Sequence, residues 1–357
     1  MRRFPPSSDS ELATIDYEKI HQEFAQRPIP ATHLAPSVGR WQRHAIRADA
    51  VGVDPSAMAG IGLAEREFRA LAEADTAAAA AGHPRMLEYE VVAACASHGE
   101  DGSNAEPVVD PMPLAESERI LLHFHGGGYV SGSPGSHRKA VGQVARAGGR
   151  RCFVVDYRLA PRYPFPAQLH DALIAYRHLL TLGYSAANII VAGDSAGGHI
   201  ALGLMLLLKH MAADPLPGAA LLLAPQTAVD LRGASLVTNG PYDYMANTPL
   251  TWPTSPMRMF YAPGRPLSDE YRRETRHPLL EPANADLTGL PPTLIQVGER
   301  DMLIDDIKLF ADALARAIGP NARYEEYPEM VHVFQRFVHH PVAVRAFASI
   351  GDFLKAN

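Results

Sequence analysis

The chain has 357 residues, 47% of them apolar, and a formal net charge of -6, enough apolar material for a sizeable core and no electrostatic reason to expect nucleic acid or an anionic membrane as partner. Its two cysteines, Cys95 and Cys152, imply no disulfide framework, and the lack of any CxxC or Cys/His cluster argues against a structural zinc site.

In chain order, Arg2 and Arg3 are followed by no apolar run of signal-peptide length, and no stretch is long enough to span a bilayer. The sequence therefore reads as soluble and cytoplasmic. Residues 1–85 form a polar, proline-marked segment with helical patterns around Asp16 to Gln26 and Leu63 to Ala72 and an alanine run from Ala77 to Ala81. Beyond it the character changes. Apolar runs over Met86 to Val92, Arg119 to Phe124, Cys152 to Asp156, Asn188 to Gly193, Ala219 to Ala224, Thr293 to Gly298 and Ala322 to Tyr327 predict strands. Amphipathic stretches near Arg138 to Arg146, Leu169 to Leu182, Ala196 to Met211 and Ile307 to Ala317 predict helices between them. Strands without period-two alternation, separated by helices, predict an α/β fold with a mostly parallel sheet covered on both faces and a site at the carboxyl ends of its strands. The stretch "PYDYMANTPLTWPTSPMRMFYAPGRP" reads instead as short helices and loops. It marks an insertion over about 225–290 that, with residues 1–85, is expected to cap a catalytic domain spanning 86–357.

The chemistry is concentrated at a few strand ends. "HFHGGGYVSGS" closes a strand with Gly126, Gly127 and Gly128 in succession, a backbone that turns sharply or lets another group come very close. "VAGDSAGGH" sets Ser195 at the seam between a strand and a long apolar helix, in the G-x-S-x-G spacing of a nucleophile elbow; a helix N-cap is the plainer use of such a serine. A serine hydroxyl needs a base to take its proton and a third group to orient that base, which in this arrangement follow in the order serine, acid, histidine. After the strand ending at Gly298 come Glu299, Asp301, Asp305 and Asp306. The last two sit where a helix begins and are accounted for by capping and compensation of the helix dipole, whereas Asp301 lies in the loop. His332 follows the last strand in "PEMVHVF", while His339 and His340 precede the proline of the final helix and read as surface residues. The glycine loop would then present bare N–H groups, with that of Ala196, to the negative charge that grows on an attacked carbonyl oxygen.

With these segments in order, the chain resembles the hormone-sensitive-lipase-like, bacterial family IV esterases of the α/β-hydrolase superfamily. The matching residues are His125 to Tyr129, "DYRLAPRYPFPAQLHDA", "GDSAGG", "LPPTLIQVGERDMLIDD" and "MVHVF". The resemblance implies an α/β-hydrolase fold with a helical cap. It implies Ser195 as nucleophile, Asp301 and His332 as its partners, and Gly127, Gly128 and Ala196 as the oxyanion donors. It also implies no cofactor or metal, a small-molecule ester as partner, and a homodimer paired through the last strand and final helix. The chain departs from the family's usual pattern with Arg162 after "RLAP", His199 after "SAGG", Met302 in "DML" and Val333 in "HVF". Tyr129, Trp252, Met257 and Phe260, with Met259 and Tyr261, are candidates for the substrate pocket or for ordinary cap packing. The expected activity is hydrolysis of short- to medium-chain carboxylic esters, with a lactone, carbamate or amide as the alternative bond. A non-catalytic receptor on this scaffold is the alternative of another class. Gibberellin receptors, which resemble the family, lack the histidine that this chain has at His332.

Overall fold

A computed structural model describes residues 2–3, 40–51, 53, 59–61, 65–94, 110–247, 256–261 and 268–357. Their strands are β1 (Arg2–Arg3), β2 (Arg40–Arg47), β3 (Met86–Ala93), β4 (Ile120–Phe124), β5 (Cys152–Val155), β6 (Ile189–Asp194), β7 (Ala219–Leu223), β8 (Thr293–Gly298) and β9 (Ala322–Tyr327). All join one sheet in the order β1-β9-β8-β7-β6-β4-β5-β3-β2, in which β3 alone runs against its neighbours. The helices are α1 (Glu65–Ala80), α2 (Pro134–Gly148), α3 (Ala167–Thr181), α4 (Ala196–Met211), α5 (Ser235–Thr238), α6 (Pro256–Tyr261), α7 (Asp269–Glu274), α8 (Ile304–Ile318) and α9 (Pro341–Ala356).

The central strands are apolar without alternation because each face of the sheet has its own core. On β4, Leu121 belongs to the core on the face of α2 and α9, with Val141, Val144, Ala346 and Ile350. Its neighbour Leu122 turns to the other face, in the core that also holds Leu173 of α3, Ile200 and Leu204 of α4, and Phe310 of α8. Both layers exclude water, and each fully buried Leu, Ile or Phe contributes about 1.5–3 kcal/mol. Helix α4 is buried on every side from Ala196 to Leu208, so it reads as apolar all round rather than as a stripe.

The amino-terminal boundary differs from the sequence reading. Residues 40–47 are a strand that extends the sheet, not part of a cap. At the sheet edge most of β2 is exposed, with only Ile46 buried, so its charged sequence "RWQRHAIR" carries no hydrophobic signal. The helical pattern at Leu63 to Ala72 and the alanine run join in the single helix α1, whose Phe68 enters the main core. Arg85 then ties α1 to α3, reaching Asp75 at 2.6 Å and the fully buried Asp171 at 2.9 Å. The helical pattern at Asp16 to Gln26 lies outside the described residues, as do Cys95 and Trp252. Beyond β7 the described insertion holds α5, a 3-10 turn at Tyr244–Asn247, α6 and α7, with no added strand among its described residues.

Candidate active site

Parallel strands deliver their carboxyl-end loops to one edge, and four of those loops, after β4, β6, β8 and β9, converge. Ser195 stands between β6 and α4 with φ 52° and ψ -120°, a conformation that costs a non-glycine residue about 1–3 kcal/mol. The strain is held by backbone bonds from Ser195 N–H to Leu223 O at 2.9 Å and from Gln226 N–H to Ser195 O at 2.9 Å. Tight packing explains the glycine two positions on: a Cβ at Gly197 would lie 2.0 Å from the Phe124 carbonyl oxygen. The turn therefore closes only against β4.

The glycine loop after β4 is fixed from below. A Cβ on Gly126 would sit 2.3 Å from Asp194 Oδ2, and one on Gly127, at φ 120°, 2.2 Å from Ser131 O. The Gly127 carbonyl is occupied by the N–H groups of Val130 and Ser131 and by the Ser131 hydroxyl, at 2.9–3.2 Å. His125 stacks on Tyr157 with ring centroids 4.2 Å apart, and its Nδ1 donates to Gly126 O at 2.8 Å. Burial, and next the neighbouring His137, lower the His125 pKa to about 3, so the ring is neutral and serves as a strut. Beneath the loop Asp194 meets His123 at 3.2 Å and His137 at 3.3 Å. Burial opposes its charge, but these two rings outweigh burial and hold the carboxyl well below the usual range.

Ser195, His332 and Asp301 form one hydrogen-bonded row: Ser195 Oγ to His332 Nε2 is 2.8 Å, and His332 Nδ1 to Asp301 Oδ2 is 2.9 Å. Both His332 and Asp301 are buried. Burial disfavours a charged ring, but the Asp301 carboxylate, reinforced by Asp243 and Asp194, more than compensates and raises the His332 pKa above its ordinary value. Such a ring can take a proton from Ser195 Oγ and remain stabilised while it holds it. Ala196 opens α4, so its N–H is among those without an intrahelical acceptor, and Gly127 and Gly128 face the same cavity. That chamber, about 260 Å³, is also lined by Val130, Tyr244, Met245, Met257, Leu303 and Arg336.

The remaining pocket candidates divide. Met257 of α6 lines the chamber. Tyr129 and Phe260 do not: both are fully buried and stacked on each other at 3.8 Å, because the Tyr129 hydroxyl is drawn inward to His199 Nδ1 at 3.0 Å. Tyr261 is buried against Glu274, at 2.7 Å, while the side chain of Met259 and all of Trp252 lie outside the described residues. Asp305 and Asp306 lie in the first turn of α8, where their charge complements the helix dipole as expected, but rather than capping it they accept the N–H groups of Ser235 and Gly233 at 2.9 and 3.3 Å. Sequence reading also passed over Asp243, which lies buried beside His332 and Asp301; its only signal was an acidic residue between two tyrosines in "PYDYM".

A family model described as the alpha/beta hydrolase fold matches residues 121–336. The chain belongs to the α/β-hydrolase family, in its hormone-sensitive-lipase-like esterase branch. An acetyl-hydrolase of Streptomyces hygroscopicus is 38% identical over 68% of this chain and 77% of its own length. The carboxylesterase NlhH of Mycobacterium tuberculosis is 34% identical over 67% and 74% respectively. Among solved structures, an esterase from the bacterial hormone-sensitive lipase family superposes with a TM-score of 0.69 at 27% identity, covering 98% of this chain and 99% of that one. The chain is accordingly a hydrolase of the esterase class. Among its described residues no helix is long and apolar enough to cross a membrane.

Proposed function

We propose that this esterase-family chain hydrolyses short- to medium-chain carboxylic esters through an acyl-enzyme on Ser195. The observation that carries the reading is the row Ser195–His332–Asp301 at 2.8 and 2.9 Å, opening on a chamber that the glycine loop also faces. His332 Nε2 takes the Oγ proton as Oγ bonds to the ester carbon, and the N–H groups of Gly127, Gly128 and Ala196 receive the oxyanion. Collapse breaks the bond to the alcohol oxygen, which leaves with the proton held on Nε2. Water then attacks the acyl group with the same base, releasing the acid and returning the proton to Oγ. Asp301 keeps the ring in the tautomer that both steps require.

The chamber volume supports the acyl-length limit. At about 260 Å³ it lies just below the usual span of ligand pockets, roughly 300 to 1,000 Å³. Initial rates across p-nitrophenyl esters from acetyl to palmitoyl, with Ser195→Ala as the blank, test the proposal. Rates should peak at short acyl groups and vanish with the serine, together with organophosphate labelling. Labelling that persists in Ser195→Ala would place the nucleophile elsewhere, and serine-dependent turnover of amides or lactones but not esters would overturn the bond assignment.

A further inference from the structure

The insertion segment from Gly233 to Met245 is stitched to the loop that carries Asp301. Gly233 and Ser235 donate their N–H groups to Asp306 and Asp305, and the Ser235 hydroxyl donates to Met302 O at 2.8 Å. Asn239 Nδ2 reaches both Glu299 O at 3.0 Å and Asp301 O at 2.9 Å. The last of these ties is made by Asp243, whose side chain is fully buried. Its Oδ2 accepts the N–H of Met302 at 3.0 Å and that of His332 at 3.3 Å, and its Oδ1 accepts the N–H of Met245 at 3.0 Å. One carboxylate oxygen thus joins the residue after Asp301 to the backbone of His332 itself. The next two residues, Tyr244 and Met245, line the substrate chamber.

We propose that Asp243 is a positioning residue for ester hydrolysis: its carboxylate pins the acid loop to the histidine loop and ties that alignment to the chamber wall. This rests on the assignment of Ser195, His332 and Asp301 as the reacting row. The position is costly, which argues for a role. Asp243 sits in a dry environment next to Asp301, and burial, then that second negative charge, raise its pKa to about 6. A neutral side chain would avoid the cost; an ion in such a place is retained for the three N–H groups that it collects. Angular drift of His332 by a fraction of its ring width would lengthen the 2.8 Å bond to Ser195, and a misplacement of about 1 Å is worth about 100-fold in rate.

Two substitutions separate the bridge from the charge. Asp243→Asn can keep one carbonyl oxygen on Met302 and His332 N–H while losing the negative charge; Asp243→Ala loses both. On p-nitrophenyl acetate, Asp243→Ala should lower kcat by about 10- to 100-fold with KM within about threefold, and Asp243→Asn should recover most of that loss. The asparagine variant should also move the acid limb of kcat/KM to lower pH. His332 is faced by Asp301, Asp194 and Asp243, with the Tyr244 ring and Arg336 nearby, and only one of these carboxylates is removed. Folding is checked by thermal melts; if Asp243→Ala does not fold, the limb and kcat of Asp243→Asn decide. A folded alanine variant with kcat within about twofold of the parent, an asparagine variant that rescues nothing, or an unmoved limb would each overturn the role. Failure of the row itself would look different: the parent protein would then show no turnover above the Ser195→Ala blank.

Discussion

The two halves of the site are held in place by different means. On the side of the proposed nucleophile, Ser195 and the glycine loop are fixed by regular elements and by contacts too close for a side chain, such as Gly197 against Phe124 O and Gly126 against Asp194. On the relay side, Asp301 and His332 ride on loops whose alignment comes from an insertion far away in sequence, through Ser235, Asn239 and Asp243. Electrostatics divides the same way. Around the nucleophile, His125 and His199 are kept neutral, burial being the largest cause, with pKa values lowered to about 3 and about 4. On the relay side, carboxylates overcome burial and raise that of His332. In the proposed mechanism, rigid packing thus sets where the oxyanion goes, while hydrogen bonds across loops set where the proton goes.

The contrast can be broken at its strongest points first. Asp301→Asn should lower kcat about 10,000-fold, the size found where the acid of a serine protease triad is made neutral, with folding preserved; a loss under tenfold would remove Asp301 from the row. Gly197→Ala should destabilise the fold by about 3 kcal/mol, because its Cβ meets backbone that cannot move aside, and an unchanged melting temperature would show that the elbow has slack.

The pH dependence separates the halves next. In the proposed mechanism His332 must be neutral to act, and its pKa is raised, so the acid limb of kcat/KM should have its midpoint above 6.5. His125 and His199 have folded pKa values below the unfolded value of about 6.5, so the unfolded chain binds more protons and stability falls as pH drops from about 6.5 toward 3. Activity should therefore be lost, reversibly, at a higher pH than the fold. Coincident activity and melting curves would contradict this. The smallest effect is expected in the chamber: Met257→Ala should shift the optimum toward acyl chains one or two carbons longer, whereas Phe260→Leu should lower the melting temperature by a few degrees and leave the profile unchanged. A profile altered by Phe260→Leu would put that ring in contact with substrate.

Much of this molecule is legible in its amino-acid sequence. Apolar runs such as "RILLHF" and "NIIVAG" have no alternation because both sheet faces are covered, and that alone indicates parallel strands between helices. The strained turn at Ser195 is equally plain, since the G-x-S-x-G spacing is a local device whose glycines and serine lie within five residues. His332 and Asp301 can be named because they fall at the ends of readable strands.

Tertiary structure decided the rest. Strand β2 is hidden because an edge strand with an exposed face needs no hydrophobic period. Tyr129 and Phe260 look like pocket residues in sequence, yet an inward partner, His199, turns the tyrosine into the core. Asp305 and Asp306 stand in the first turn of a helix, yet their oxygens hold another segment rather than cap that helix. Asp243 shares no spacing with any motif, for the N–H groups it collects at Met302 and His332 lie 59 and 89 positions along the chain. Local sequence determines what a turn or a strand can be; which distant backbone groups a buried carboxylate must satisfy is settled only when the loops that carry them have met.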